Sequence, residues 1–267
     1  MSQLNDDLII FNSLIELERK VVGIKFLFDK NEYENFNANT TTRVMPYCTI
    51  VRNASKGECV KVNVHNIACH SAARALGLIE VDNDTISGRV HSKMGVYKDI
   101  CISRSVAKDM VYCKHKIYGI AIQPLEKFEN NPDVIIIITN PFNTMRIIQG
   151  NAYNNGQAKK IKMVGMQAIC QECTSYPYEI NDINISMMCS GTRHVAQWDK
   201  NEMGIGIPYN KFSNIVDGIK NTVNVMERNN EKKKIEEKLS KNNLKHLIKI
   251  QYNKNYYTGV YKKISSE

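Results

Sequence analysis

Two periods of apolar spacing run along this chain. Leu8, Ile9, Leu14, Ile15 and Leu17 recur at helical spacing and predict an amphipathic helix over about 6–20. Residues 21–28 (VVGIKFLF) and 134–139 (VIIIIT) are continuous apolar runs of strand length, as expected of strands covered on both faces. Residues 60–64 and 183–187 alternate with period two and predict shorter strands, as do 118–123 (YGIAIQ) and 203–207 (MGIGI). Between them lie predicted helices over 48–55, 68–77, 103–112, 141–153, 189–198 and 211–228, and a short one carrying Cys170 and Cys173. The stop at Asn140-Pro141 suits a strand end followed by the first turn of a helix. The pattern predicts an α/β fold: a mixed sheet with flanking helices, and residues 21–28 and 134–139 at its centre.

Self-comparison adds a second level of order. IACHSAARALGL (67–78) resembles MMCSGTRHVAQW (187–198), and YGIAIQPLEKF (118–128) resembles MGIGIPYNKF (203–212). Each first segment sets a cysteine at a helix start, Cys69 or Cys189, and an arginine about one turn later, Arg74 or Arg193. Each second segment is a glycine-containing strand followed by proline and a Lys-Phe pair. Upstream, Cys48 precedes Cys69 much as Cys170 or Cys173 precedes Cys189, with one short strand between. The reading is of two internally related halves, about 20–128 and 131–226, within a single α/β domain over 1–226. The first half carries an insertion of about 35 residues.

Charge alters the picture only at the end. The net charge is +9, from 36 basic and 27 acidic residues, and most of the excess lies in 227–267. That segment reads as a basic peripheral tail, a charged helix followed by a Tyr- and Lys-rich hairpin around Gly259. It contains no helix-turn-helix, zinc-finger or RNA-binding signature, so nucleic acid is not an expected partner. No apolar run reaches membrane-spanning length, and the acidic residues near the start do not suit a signal peptide. A cytoplasmic protein is expected.

The chain has eight cysteines, a high count for a reducing compartment and unsuited there to structural disulfides. Each reads either as a packed small side chain or as a ligand. Cys59, Cys101 and Cys113 have no partner in the repeat and read as structural. If the halves face one crevice, Cys48, Cys69, Cys189 and one of Cys170 and Cys173 meet there. Helix starts favour thiolates, and Arg74 and Arg193 add positive charge as candidate cofactor-binding residues. Four thiolates suit a zinc ion or a 4Fe-4S cluster. Only 170–173 has the tight C-x-x-C spacing, which argues against a zinc ribbon.

Three functions stand open. The first is a cysteine-ligated metal or iron–sulfur protein with a redox or small-molecule role, working with a small molecule or a redox partner protein. The second is a metal-free enzyme or binding protein that holds a small anionic ligand with the two arginines. The third is a thiol–disulfide redox protein acting through Cys170 and Cys173. No dinucleotide fingerprint, P-loop, nucleophile elbow or H-E-x-x-H motif points to another chemistry.

The stretches GIKFLF (23–28), CHSAARALGL (69–78), YGIAIQPLEKF (118–128), NPDVIIIITNPFNTMRI (131–147), NISMMCSGTRHVAQW (184–198) and EMGIGIPYNKFSNIVDGI (202–219) resemble the domain of unknown function 169, or ArCR, family of archaea and anaerobic bacteria. The resemblance covers about 20–225. It implies an anaerobe-type cytoplasm, in which an exposed cluster survives, and it implies no particular activity. Family members often carry Pro-Gly after the first helix-start cysteine, where this chain has His70-Ser71.

Overall fold

The computed structural model describes residues 3–253; the region around Gly259 lies outside them. In chain order come α1 (Gln3–Leu14), β1 (Val22–Leu27), α2 (Lys30–Asn35), β2 (Asn39–Thr40), α3 (Tyr47–Ala54), β3 (Val60–Asn63) and α4 (His70–Ala75). Next are α5 (Asn83–Ile86), α6 (Arg89–Lys93), α7 (Ile100–Asp109), β4 (Gly119–Pro124), β5 (Val134–Thr139) and α8 (Pro141–Asn155). A π-helix (Ala168–Ser175) then leads into α9 (Tyr176–Ile180), β6 (Asn184–Ser186), α10 (Ser190–Val195), β7 (Met203–Pro208), α11 (Tyr209–Met226) and α12 (Asn229–Lys241). Among the described residues, no helix is long and apolar enough to cross a membrane.

The chain divides into two compact units. One, Arg19–Thr139 with Lys160–Tyr209, holds the seven strands found among the described residues, in the order β2-β3-β4-β1-β5-β7-β6. β2 and β3 are parallel and the other pairs antiparallel, so the sheet is mixed. The two continuous apolar runs, β1 and β5, pair near its middle, with Val22 opposite Ile136 and Ile24 opposite Val134. A polar clamp sets this register. Asp133 accepts from Phe26 N at 2.8 Å and pairs with Lys25 at 2.8 Å, which accounts for the one lysine in an otherwise apolar strand.

Outward from this pair the strand order is β1-β4-β3 on one side and β5-β7-β6 on the other. The registers correspond as well: Val62 faces Ile120 and Asn63 faces Gly119, while Ile185 faces Ile205 and Ser186 faces Gly204. The segments 67–78 and 187–198 also end alike. Leu76 and Ala196 close their helices at φ −89° and −88°, and each precedes a left-handed residue, Gly77 or Gln197.

Local hydrogen bonds shift several element boundaries from those predicted. β3 stops at Asn63 because Asn63 accepts from His65 N while Asn66 accepts from Asn63 N, turning the chain through a short 3-10 segment. α7 starts at Ile100, earlier than predicted, because the Asp99 carboxylate accepts from Cys101 N and Ile102 N.

The other unit draws on the described parts of Met1–Glu18, Asn140–Lys159 and Asn210–Glu267. It contains α1, α8, α11 and α12. α8 and α11 cross with their backbones in contact: a Cβ on Gly218 would collide with the Gly150 carbonyl. Beside this crossing, fully buried Arg146 pairs with Glu227 and reaches the Thr222 hydroxyl. α12 packs against α1 and buries Lys232, Ile235 and Leu239. The Lys232 ammonium is satisfied by the carbonyls of Asn224 and Gln251, at 2.8 and 2.7 Å.

Candidate functional site

The cysteines lie in the sheet-containing unit. Cys48 sits in the first turn of α3, which follows Pro46. The neighbouring Tyr47 is fully buried, and its hydroxyl lies 3.1 Å from that of Thr174, tying the start of α3 to the π-helix. Cys69 is the residue before α4, in extended conformation, and its side chain makes no capping bond. Cys189 holds the same place before α10, and there the thiol does cap: Thr192 N donates to its sulfur at 3.3 Å. The Thr192 hydroxyl lies 3.0 Å from the same sulfur.

Cys170 and Cys173 ride on the π-helix, every residue of which is buried. Its entry residue Gln167 is left-handed, at φ 51°, and Gln167 O accepts from both Gln171 N and Glu172 N. Wide turns of this kind recur at functional sites. The two thiols have different surroundings. Cys170 lies near Cys69, Cys189 and Cys48, close enough for each to oppose its ionisation. Cys173 is fully buried against the sheet: a Cβ on Gly204 would stand 2.8 Å from its sulfur. Of the three thiols that act on Cys170, Cys189 alone acts on Cys173 as well.

Burial pushes the Cys48 thiol up to about 11, with smaller contributions from Cys189 and Cys69 and an opposing one from Thr192. Burial likewise holds Cys170 and Cys173 well above the ordinary thiol range. At neutral pH these side chains are protonated and neutral unless a cation replaces their protons. Among the described residues, no group of three or more His, Cys, Asp and Glu side chains is drawn together in the arrangement of a metal ion's ligands.

The remaining cysteines stand apart. Cys101 is exposed, and Cys59 is half-buried near Lys127 and Glu126. Cys113 is buried beside Gly77, with Glu179 the charge that acts on it.

Both arginines are engaged within the fold. Arg74 pairs with Asp82, whose carboxyl is lowered chiefly by hydrogen bonds from Thr85. The Arg74 Nε is buried without a hydrogen-bond partner, and Arg74 acts on Tyr112, which also feels Cys170. Arg193 donates to the carbonyls of Met187 at 3.0 Å, Glu202 at 2.9 Å, and Asp199, fastening the segment that leads into β7.

Sequence reasoning passed over Thr192 and Glu172. Glu172 lies between the two π-helix cysteines and is almost wholly buried. Its carboxylate accepts from Val164 N at 2.8 Å, Gly165 N at 3.3 Å and the Ser186 hydroxyl. Burial raises its pKa against the pull of these donors. The signal available for Thr192 was its position three residues after a helix-capping cysteine. Glu172 offered none, because its donors come from elsewhere in the chain.

A family model described as uncharacterised ArCR proteins matches residues 10–218. An uncharacterized protein of Methanocaldococcus jannaschii is 23% identical over 208 residues, covering 77% of this chain and 89% of that protein. No solved structure matches.

Proposed function

This chain belongs to the domain of unknown function 169 family, described as uncharacterised ArCR proteins, and we propose from its geometry that it holds a thiolate-ligated iron–sulfur or metal centre. The ligands in this reading are Cys48, Cys69, Cys170 and Cys189. What supports it is that thiols drawn from α3, α4, the π-helix and α10 act on one another's ionisation: Cys189 and Cys69 on Cys48, and all three on Cys170. A 4Fe-4S cluster takes thiolate sulfurs roughly 6–7 Å apart, wider than the ligands of one ion. Bound there, it would supply one-electron chemistry. The chain's own residues supply four soft donors, a water-poor setting from the core around Tyr47 and Cys170, and a clamp, Glu172, on the helix that presents Cys170. The proposal extends to a redox or small-molecule role with a small-molecule or redox-protein partner, to an anaerobe-type cytoplasm, and to a site built from two related halves.

Anaerobic purification or reconstitution, followed by iron, sulfide and zinc analysis, tests the reading. Wild-type protein is expected to hold iron and sulfide. Cys69→Ser and Cys189→Ser abolish this, whereas Cys113→Ser and Cys173→Ser retain it. A folded wild-type protein that takes up no metal overturns the reading.

One observation favours a second reading. The buried, unpartnered Nε of Arg74 and Oε1 of Gln167 both belong to residues that act on Tyr112. They suit a small polar ligand beside Cys170 in a metal-free binding protein. Ligand-induced stabilisation of metal-free protein that is lost in Arg74→Met would favour it.

A further inference from the structure

Residues 249–253 run along α11 and α12 without helix or strand structure of their own. They continue from Ile248, which is extended at φ −142° and ψ 121°. Two asparagines hold this strap by its main chain. Asn224 donates from Nδ2 to the carbonyl of Lys249 at 2.9 Å and accepts from Gln251 N at 2.8 Å. Asn229 donates to the carbonyl of Asn253 at 2.9 Å and accepts from Asn253 N at 3.0 Å. The fully buried Lys232 donates from its ammonium to the carbonyl of Gln251 at 2.7 Å. The residues engaged are 249, 251 and 253, the period-two set that one edge of an extended chain presents. An asparagine side chain carries donor and acceptor together, so the pair takes the place of a neighbouring strand. Among the described residues, the strap's side chains add one hydrogen bond, from the Tyr252 hydroxyl to Glu236. Lys249, Gln251 and Tyr252 are exposed, so the strap lies on the surface. It and the residues that hold it lie beyond the 10–218 matched by the family model.

We infer that this face of α11 and α12 is a binding site for an extended peptide main chain, occupied in cis by residues 249–253 and open in trans to a partner polypeptide that offers an extended segment in the same register. A site that reads main-chain groups at alternate residues draws its affinity from those hydrogen bonds and tolerates varied side chains. The strap competes for it at an effective concentration on the order of millimolar, so a partner enters as the strap leaves. Departure of the strap leaves the Lys232 ammonium with one of its two carbonyl partners, that of Asn224, and this favours capture of another peptide carbonyl. The site does not depend on a metal at the cysteines.

The test uses the full chain and a fluorescein-labelled peptide with the sequence of residues 247–253 (LIKIQYN), blocked at both ends. Gln251→Pro/Asn253→Pro removes the strap's two N–H donors and frees it, which trypsin reports by cutting after Lys249. By fluorescence anisotropy the freed chain is expected to bind the peptide at least about tenfold more tightly than wild type. Adding Asn224→Ala weakens this binding about tenfold, the loss expected of two hydrogen bonds. A peptide N-methylated at the position of Gln251 loses binding, and one methylated at the position of Tyr252 keeps it. A wild-type dimer that Asn224→Ala dissolves, formed by exchange of straps, also supports the inference. A freed, folded chain that takes up no peptide overturns it, as does equal binding of both methylated peptides or a strap that stays resistant to trypsin in the proline variant. Should the proline variant fail to fold, wild type decides. Its Gln251 and Asn253 amides exchange slowly with solvent deuterium, and excess peptide speeds them; no acceleration overturns the inference.

Discussion

Replacing Glu172 by alanine removes one acceptor that three donors share. The Ser186 hydroxyl is fully buried, and leaving it without that acceptor costs about 1–3 kcal/mol. Val164 is 44% exposed, so the Val164 and Gly165 N–H groups reach water and contribute little. Loss of the packed Cγ methylene adds about 0.8 kcal/mol, and relief of carboxylate desolvation subtracts from the total. Glu172→Ala is therefore expected to destabilise metal-free protein by about 2 kcal/mol. Glu172→Gln keeps a carbonyl oxygen for the two backbone donors and turns its amide toward Ser186, so its cost is expected to stay within about 1 kcal/mol. The pH dependence carries a sign. Burial raises the folded carboxyl above its ordinary value of 4.5, so the folded state takes up a proton before the unfolded state does. Relative to Glu172→Gln, wild type gains stability as pH falls from neutral toward 4.5, and loses it as pH rises through the folded value. Urea unfolding of the three proteins between pH 5 and about pH 8 reads both effects. A glutamine variant as unstable as the alanine variant, or a flat or reversed pH difference, would refute the clamp.

Three further outcomes can be measured on the metal-free chain. Because Cys48 is raised from 9.0 to about 11, wild type should hold its stability below pH 9 and lose roughly 2–3 kcal/mol as pH rises through the folded value; Cys48→Ala should flatten urea midpoints over that range. Arg146→Met leaves buried Glu227 without its cation and should cost about 3–5 kcal/mol, with Arg146→Met/Glu227→Leu recovering much of the loss in thermal melts. Gly218→Ala forces α11 away from the Gly150 carbonyl and should lower stability by about 1–3 kcal/mol, read from urea midpoints.

Much of the architecture was legible because its causes are local. A β-branched run between Asn131-Pro132 and Asn140-Pro141 has few conformations other than a buried strand, and β5 spans Val134–Thr139 as read. Cys69 and Cys189 precede their helices as predicted, since Gly77 and the following apolar residue already mark the close of the first. Strand order also follows the composition: the two runs without polar alternation pair near the middle of the sheet, where neighbours cover both edges. Tertiary structure decided what depends on partners distant in sequence. Only the packing of the π-helix against β7 separates Cys173, pressed on Gly204, from Cys170, whose ionisation Cys69, Cys189 and Cys48 all oppose. Only folding reveals that Arg193 is held by three carbonyls and that Glu172 is held by donors 7, 8 and 14 residues away. Spacing in a sequence determines which face of an element a side chain takes. Which polar groups meet that face once water is removed is settled by packing, and for buried thiols and carboxylates that meeting sets charge, proton affinity and chemistry.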